Sequence, residues 1–352
     1  MRVALIAPGP GSTGGQEVQA AAIQDRLLQE GHQVTRIPID PPFPSSLSWL
    51  RRWPYARTLL NQALYVPSLR RLREVDVVHA FSASFWSFLL APTPAIAAAR
   101  HYGKRVVLLY HSGEAEAHLA RWGLLVHPFL RWVDDIVVPS EYLKEVFARH
   151  GHRARVIRNI VDTGRFVYRD RPPLQPRFLS ARSLEPHYRV DVTIRAFSQL
   201  KKRYPEATLT VAGSGSEEKR LRGLARALGD GGVRFIGAVD SKQMPALYED
   251  ADILLNASVV DNQPVSVLEA FAAGLPVVST ATGDLANIIH HRTTGLLVPP
   301  ADPEAMATAA SYLLGNPNRA QFITRSARQE AEKYSWAHVR DSWLAVYAGR
   351  PA

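Results

Sequence analysis

Residues 261–278 read Asp-Asn-Gln-Pro-Val-Ser-Val-Leu-Glu-Ala-Phe-Ala-Ala-Gly-Leu-Pro-Val-Val, and no other segment says as much about the architecture of this chain. The apolar run at 252–256 just before them is typical of a buried strand, and Val277 begins the next one. The polar turn and helical pattern between these strands predict a βαβ unit. The start of such a helix is an anion site, because its unpaired N–H groups and its dipole favour phosphate. Glu269, two turns along, is placed to reach a hydroxyl-rich group beside that phosphate, so the segment predicts a nucleotide-sugar site.

Strand-like and helix-like patterns alternate along the whole chain, which predicts parallel sheets covered by helices. The predicted strands are residues 3–7, 33–37, 75–80, 105–110, 135–139 and 155–158, then 177–181, 207–212, 233–236, 252–256, 276–280 and 295–298. A polar segment at 165–176, with Pro172, Pro173 and Pro176, predicts a linker. We therefore expect two α/β domains with a cleft between them and ligands at the carboxyl ends of the strands.

Length and composition fit two globular domains with full cores. The chain has 352 residues, of which 46% are hydrophobic and 21% charged. It has no cysteine, which excludes disulfides, thiolate chemistry and cysteine-ligated zinc or iron–sulfur sites. The first apolar run is too short for a signal peptide, and no stretch approaches the roughly 18 apolar residues of a membrane span. These features predict a cytoplasmic protein.

Residues 41–73 form a strongly basic segment, in a chain whose net charge is +10. The segment contains no acid and six arginines, namely Arg51, Arg52, Arg57, Arg70, Arg71 and Arg73, with Trp49 and Trp53 among its apolar residues. One interpretation is peripheral binding to an anionic membrane at its inner face, through Trp49, Trp53, Arg51, Arg52, Arg70 and Arg71. The alternative is a helix pair packed on the first domain, with solvated arginines. Arginine clustering and the two tryptophans favour the membrane. Nucleic acid is not expected, because no known binding module is present.

The segment 261–278 resembles the acidic-pair and helix motif of retaining glycosyltransferases of the GT4 family (glycosyltransferase group 1), which have the GT-B fold. The family pattern is Glu, seven residues, Glu, then Ala-Met-Ala-x-Gly-x-Pro-Val. Asp261 stands here at the first acidic position and Phe271 at the methionine position. The resemblance implies an α/β protein of two Rossmann-like domains whose parallel sheets face each other across a cleft. It implies an acceptor-side domain at 1–168, a donor-binding domain at 169–334, and a C-terminal helix at 335–352 that packs back on the first domain.

Residues 179–191 resemble the family loop in which an arginine and then a lysine grip the donor diphosphate. Arg182 matches the arginine, and a guanidinium suits two phosphate oxygens. Tyr188 occupies the place of the lysine, and Arg189 beside it is the candidate substitute. The loss of one cation from a diphosphate site costs leaving-group stabilisation.

Several further positions resemble family motifs near the donor or the reacting sugar. Gly15 lies in an opening loop where glycines allow close approach of a ligand, and Gly213 and Gly215 lie in a similar turn after a predicted strand. Val239 follows the strand against which the family packs its nucleobase. His111 ends the predicted fourth strand, where family members often place a histidine. For each position an ordinary structural role is the alternative.

The resemblance implies a retaining, metal-independent enzyme that moves a hexose from a UDP- or GDP-linked sugar to a hydroxyl of a glycan or lipid-linked glycan, forming an α-linkage. Arg182 is expected at the diphosphate, Asp261 at the donor-sugar hydroxyls, Glu269 at the ribose and His111 beside the hexose. Further donor contacts are expected at the helix start, from Asn262, Gln263, Pro264 and Val265. We expect no cofactor, because the sequence shows no His-x-x-x-His spacing for a metal.

Two other functions stay open. One is a GT-B sugar phosphorylase that uses inorganic phosphate. The other is a catalytically silent partner protein that binds sugar or lipid, which the departures at Asp261 and Tyr188 support. The basic segment is consistent with an anionic lipid carrier or lipopolysaccharide-like acceptor, and so with synthesis of cell-envelope polysaccharide. A soluble glycan is the alternative acceptor.

Overall fold

The computed structural model describes residues 1–12, 14–171, 173–229 and 231–350, without the side chains of Ser48, Arg51 and Pro54. Pro172 of the predicted linker and the last two residues of the predicted C-terminal segment lie outside this description. The chain divides into two compact units, Met1–Arg158 with Val339–Ala352, and Asn159–His338. Within the described chain, no helix is long and apolar enough to cross a bilayer.

The described part of the first unit contains a sheet of six parallel strands in the order β2-β1-β3-β4-β5-β6. The strands are β1 (Arg2–Ala7), β2 (Gln33–Pro38), β3 (Val77–Ser82), β4 (Arg105–Tyr110), β5 (Asp135–Val138) and β6 (Ala154–Val156). The helices are α1 (Gly15–Gln29), α2 (Pro54–Ser68), α3 (Trp86–Leu90), α4 (Pro92–His101), α5 (Ala115–Leu130) and α6 (Glu141–Arg149). Every residue of β3 is buried, because helices cover both faces of such a sheet.

The second unit repeats this plan, with a six-stranded parallel sheet among its described residues in the order β12-β11-β10-β7-β8-β9. The strands are β7 (Arg177–Ala181), β8 (Thr208–Ala212), β9 (Val233–Gly237), β10 (Ile253–Asn256), β11 (Val277–Thr280) and β12 (Leu296–Val298). The helices are α7 (Val190–Arg203), α8 (Glu218–Ala227), α9 (Met244–Asp250), α10 (Val265–Ala272), α11 (Leu285–Ile288), α12 (Pro303–Gly315) and α13 (Pro317–Glu332). The strand order reverses at β7, so the loops after β7 and β10 are neighbours at the carboxyl edge.

Each predicted strand is confirmed in the described chain, with ends within about two residues of the prediction. The units divide about ten residues earlier than the predicted boundary at 168, because the segment after Arg158 packs on the second unit. Its Val161 N–H donates to the Tyr334 carbonyl at 2.9 Å. The predicted linker also contains a buried residue, Arg171, whose guanidinium donates to the Tyr248 and Ala273 carbonyls. The polar, proline-rich composition predicted a linker at 165–176. In the structure, long-range hydrogen bonds of Arg171 attach this segment to the second unit.

The C-terminal helix α14 (Trp336–Tyr347) runs into the first unit, which includes the chain from Val339 onward. Tyr347 Oη lies 2.8 Å from His79 Nδ1, and the ring of Trp343 stacks on His79 with centroids 4.8 Å apart. Burial, with a smaller contribution from His111, lowers the pKa of His79 to about 3, so this imidazole is neutral. Arg105 Nε also donates to the Val346 carbonyl at 2.9 Å. The helix is therefore fixed to the first sheet by polar as well as apolar contacts.

Tyr347→Phe is expected to lower the free energy of unfolding by about 1–3 kcal/mol, because it leaves a buried His79 nitrogen without its partner. Urea unfolding followed by tryptophan fluorescence would measure the loss, since Trp343 lies in the same cluster. Tyr312→Phe is the matched control, because Tyr312 is a partly exposed residue of α12, and its effect should stay within about 0.5 kcal/mol. Equal losses in the two variants would contradict the assigned role of Tyr347.

Candidate active site

The loops after β7 and β10 bring Arg182 and Asp261 together. Arg182 Nη2 donates to Asp261 Oδ2 at 2.6 Å, and the two side chains are 10% and 8% exposed. Arg182 Nη1 lies 3.4 Å from the hydroxyl of Ser266, in the first turn of α10. Burial by itself would lower the pKa of Arg182, but Asp261, with help from Tyr188, raises it above the ordinary value. A charged guanidinium is therefore held at the start of α10, where an anion is favoured.

Tyr188 and Arg189 follow one another in the chain but differ in what they contact. The guanidinium carbon of Arg182 lies 4.1 Å from the centroid of the Tyr188 ring, in a cation–π arrangement. Arg189 has a left-handed backbone (φ 46°), and its Nε and Nη2 donate to the two carboxylate oxygens of Asp191 at 3.0 and 3.2 Å. Tyr188 thus supports the matched arginine, whereas the guanidinium of the candidate substitute is directed to Asp191.

The glycine turn after β8 packs directly on the Arg182 loop. Leu184 N–H donates to the Ser214 carbonyl at 2.9 Å. A Cβ atom on Gly213 would lie 2.0 Å from the Arg182 carbonyl oxygen, and one on Gly215 would lie 2.4 Å from that of Leu184. The two glycines are therefore required for the close approach of the two loops. This is the ordinary structural role that the sequence analysis gave as the alternative to donor contact. Contact of either glycine with a donor stays a prediction.

The turn before α10 is buried and tied into the fold. Asp261 Oδ1 accepts from the Asn262 N–H at 3.1 Å, and the Val267 N–H donates to the Pro264 carbonyl at 3.1 Å. Asn159 Nδ2 donates to the Gln263 carbonyl at 2.9 Å, so Gln263 connects this turn to the segment after the first unit. Val265 is the first residue of α10, and by helix geometry its N–H group and that of Ser266 lack intrahelical partners.

Glu269 lies on α10 below this turn and is buried. Tyr248 Oη donates to Glu269 Oε2 at 2.9 Å. Burial raises the pKa of Glu269 to about 7, although Tyr248 and the charge of Arg165 act in the opposite direction. Val239 packs, partly buried, against the same apolar cluster of α9 and α10. A carboxyl with this pKa changes its charge near neutral pH.

The sequence did not predict a role for the loop after β11. In the structure this loop packs against the backbone carbonyl of Asp261. Gly283 has φ 56°, and a Cβ atom there would lie 1.7 Å from the Asp261 carbonyl oxygen. Asp284 N–H donates to that same carbonyl at 3.4 Å. The Thr282 hydroxyl donates to the Ser258 carbonyl at 2.8 Å. The available signal was the Thr-Gly-Asp turn immediately after a predicted strand.

Gly283→Ala is expected to cost about 1–3 kcal/mol of stability and to displace Asp261, because of both the backbone strain and the clash. Thermal unfolding would report the first effect, and nucleotide binding the second. Gly223→Ala is the control, since a Cβ atom at Gly223 of α8 meets no atom within 4 Å. A Gly283 variant that unfolds and binds nucleotide like wild type would show that the loop tolerates a side chain.

In the first unit, Gln16 at the start of α1 and His111 both contact the end of β3. Gln16 Nε2 donates to the Ser82 carbonyl at 3.1 Å, and the His111 N–H donates to the same carbonyl at 3.2 Å. The His111 ring stacks on Phe81 with centroids 5.7 Å apart. Gly15 is exposed at the start of α1. These residues therefore gather at the carboxyl edge of the first sheet, as expected from parallel strands.

The basic segment forms a 3₁₀ helix (Ser45–Arg52), α2 and a second 3₁₀ helix (Leu69–Glu74). One set of its apolar residues packs in the core of the first unit, including Tyr65, Leu69 and Leu72. A second set faces outward: Trp49, Trp53, Tyr55 and Leu59 are 57%, 65%, 87% and 72% exposed. Arg52, Arg70 and Arg71 are exposed, and the side chain of Arg51 lies outside the described part. The packed-helix alternative accounts for the first set and leaves the second unexplained.

Comparison with known proteins gives two family matches, Glycosyltransferase Family 4 at residues 13–165 and Glycosyl transferases group 1 at residues 169–330. Glycogen synthase of Mycobacterium tuberculosis is 31% identical over 289 residues, covering 77% of this chain and 68% of that protein. A D-inositol 3-phosphate glycosyltransferase of Salinispora tropica is 35% identical over 174 residues, covering 47% of this chain and 36% of that protein.

Among solved structures, Anabaena HepE in complex with UDP and glucose superposes with a TM-score of 0.77 and 17% identity, over 99% of both chains. A sucrose-phosphate synthase from Thermosynechococcus elongatus also superposes with a TM-score of 0.77 and 19% identity, over 99% of this chain and 98% of that one. At these identities the likeness shows the fold. The chain therefore belongs to the group 1 glycosyltransferases and is a glycosyltransferase with the GT-B fold of two Rossmann-like domains.

Proposed function

We propose that this enzyme transfers a hexose from a UDP- or GDP-linked sugar to an acceptor hydroxyl with retention, forming an α-linkage without a metal ion. The observation that supports this most is the buried, charged Arg182 at the start of α10, with Glu269 about one turn along the same helix. The cation and the helix start suit a diphosphate, and the carboxyl suits a ribose. Anabaena HepE was also solved with UDP-glucose, which supports this class of donor.

In this proposal the site acts mainly by electrostatic stabilisation. Arg182 and the first N–H groups of α10 stabilise the charge that develops on the departing diphosphate. Asp261 accepts hydrogen bonds from the donor sugar and Glu269 from the ribose. The acceptor oxygen bonds to the anomeric carbon on the face that the diphosphate leaves. The broken C–O bond leaves its electrons on the diphosphate, and a phosphate oxygen takes the acceptor proton.

Nothing in this reaction requires a metal ion, because Arg182 and the helix N–H groups supply the positive charge. In the ranges that the structure describes, no three His, Asp or Glu side chains are grouped as metal ligands. Full donor turnover in the presence of EDTA is the expected result. Restoration of a lost activity by added Mg²⁺ or Mn²⁺ would contradict the metal-independent part of the proposal.

A panel of nucleoside diphosphate sugars tests this function. Release of free nucleoside diphosphate from one of them, and an α-anomeric product seen by NMR, are the expected results. A β-linked product would contradict retention. Consumption of the donor only with inorganic phosphate, giving a sugar 1-phosphate, would favour a phosphorylase. Nucleotide binding without turnover of any sugar in the panel would favour a silent sugar-binding partner.

We also propose that the first unit binds an anionic membrane surface through the basic segment. The exposed arginines at 52, 70 and 71 supply positive charge, and Trp49 and Trp53 supply exposed apolar rings. Each arginine contributes on the order of 1 kcal/mol near an anionic surface. Tryptophan rings insert at the interface, where one end meets lipid and the other meets water. The surface thus has both elements of a peripheral membrane contact.

Vesicle flotation is expected to require anionic lipid and to weaken as salt rises, because screening acts over about 8–10 Å at physiological ionic strength. Changing Arg52, Arg70 and Arg71 to Glu should abolish flotation and leave nucleotide binding by the second unit unchanged. The control is a charge reversal at Arg195 and Arg222, exposed residues of α7 and α8 in the second unit, which should float like wild type. Equal flotation with neutral lipid, or after reversal of the three arginines, would contradict the electrostatic account.

A further inference from the structure

The first unit contains a cavity of about 510 Å³ between α2 and the chain that follows β2. Its size lies in the range of small-molecule sites. The polar side chains in its wall are Asp40, Arg57, Thr58, Asn61, Gln62 and Ser87. None of the residues proposed to bind the donor lines this cavity, so it is separate from the donor site.

The polar wall contains groups that can form hydrogen bonds with hydroxyl groups and with an anion. Asp40 Oδ2 accepts from the Ser12 hydroxyl at 2.8 Å, which fixes this carboxylate beside the loop after β1. Asn61 Nδ2 donates to the Ile39 carbonyl at 2.7 Å, which orients the amide. Arg57 is exposed, and no acidic side chain in the described ranges forms an ion pair with it. A carboxylate and two amides suit hydroxyl groups, and a guanidinium without an acidic partner suits a phosphate.

An apolar stripe borders the same cavity. Tyr55, Leu59 and Val66 follow one another at helical spacing on α2, and all three are exposed. Gln62 lies between Leu59 and Val66 on that side of the helix and belongs to the cavity wall. The stripe and the polar cavity are therefore continuous, so that one ligand can contact both.

We propose that the cavity binds the hydroxylated, phosphate-bearing head of an amphiphilic acceptor, with the apolar tail along Tyr55, Leu59 and Val66. This inference rests on the proposed glycosyl transfer and names the class of its acceptor, an amphiphile rather than a free glycan. Arg57 supplies the positive charge for the phosphate, whereas the carboxylate of Asp40 in the same wall already accepts hydrogen bonds from the Gly9 N–H and the Ser12 hydroxyl. A hydroxyl of the bound head forms the new C–O bond, the donor's bond to the diphosphate breaks, and the proton passes to phosphate.

Isothermal titration below the micelle-forming concentration tests this site with n-octyl phosphate, n-octyl glucoside and inorganic phosphate. Wild type is expected to bind n-octyl phosphate at least tenfold more tightly than either of the others. Arg57→Gln should weaken n-octyl phosphate about tenfold and leave n-octyl glucoside unchanged. Leu59→Ser should weaken both octyl compounds and leave inorganic phosphate unchanged. Equal affinity for n-octyl phosphate and inorganic phosphate would overturn the proposed binding of the apolar tail. Equal affinity for the two octyl compounds would overturn the proposed binding of the phosphate.

The matched control is Arg121→Gln, an exposed arginine of α5 that does not line the cavity, and it should bind n-octyl phosphate like wild type. Nucleotide binding separates this inference from the proposed function. Both cavity variants should keep the wild-type thermal stabilisation by nucleotide, which also shows that they are folded. Nucleotide stabilisation without binding of n-octyl phosphate overturns the acceptor assignment alone. Absence of stabilisation by any nucleotide in wild type overturns the donor site instead.

Discussion

Arg182→Ala is expected to lower donor kcat/KM by about 100- to 1000-fold, the scale on which loss of one preorganised transition-state donor acts. Its guanidinium is charged, buried and positioned by three neighbours, Asp261, Ser266 and Tyr188. The side chain is therefore oriented before the donor arrives, so that little reorganisation accompanies the reaction. Steady-state kinetics with the donor found in the nucleotide-sugar panel measure the loss.

Four variants make this result specific. Arg195→Ala, at an exposed position of α7, is the matched control and should act like wild type. Tyr188→Phe should keep most of the activity, because the stacked ring remains, whereas Tyr188→Leu should lower kcat more than it raises KM. Arg189→Ala should have a smaller effect than Arg182→Ala, because its guanidinium is held by Asp191. A donor kcat/KM within about threefold of wild type in Arg182→Ala would place the diphosphate elsewhere.

Glu269→Gln is expected to weaken nucleotide binding about 10- to 100-fold above pH 7, because hydrogen bonds to a charged acceptor contribute roughly 1.5–3 kcal/mol. The pKa of Glu269 is about 7, so the wild-type carboxyl ionises as pH rises through that value. Ribose hydroxyls donate more strongly to the ionised form. Wild-type affinity should therefore rise between pH 6 and 8, and that of the variant should stay flat. A rise of the same size in Glu269→Gln would remove the ribose role.

Glu269 should also make the stability of the fold depend on pH. Stability should fall as pH rises, whereas nucleotide affinity should increase. Because folding raises the pKa of Glu269 from its ordinary value, its contribution to stability is fully present below about pH 4.5 and is lost as pH rises through 7. This loss amounts to about 3 kcal/mol at about 1.4 kcal/mol per pKa unit. Without nucleotide, Glu269→Gln should therefore gain stability relative to wild type between pH 5 and pH 8. A constant difference between the two proteins across this range would contradict the raised pKa.

The strands and the domain plan could be predicted because they depend on local patterns. Buried parallel strands read as short apolar runs, such as β4 and β10, and the helix between β10 and β11 follows a polar turn. Arg182 and Asp261 come together because their loops follow β7 and β10, which are neighbours in the sheet. Local sequence was sufficient for the strands, whereas the strand order comes from the structure.

The contacts that tune the site were not predictable, because they join residues far apart in the chain. Tyr248 reaches Glu269 from a different helix, and Gly283 meets the Asp261 carbonyl from the loop after another strand. The direction of Arg189 depends on a left-handed backbone that nothing in its residue type signals. The division at Arg158 likewise depends on packing of the next segment, not on composition.

The most direct test of the donor site is isothermal titration with three ligands that share the preferred base: the nucleoside diphosphate, the monophosphate and the 2′,3′-dideoxy diphosphate. Wild type should bind the diphosphate best, Arg182→Ala should lose the preference for diphosphate over monophosphate, and Glu269→Gln should lose the preference for ribose over dideoxyribose. Each variant should keep the preference that belongs to the other residue. Wild-type preferences that persist in both variants would contradict a donor site built on Arg182 and Glu269.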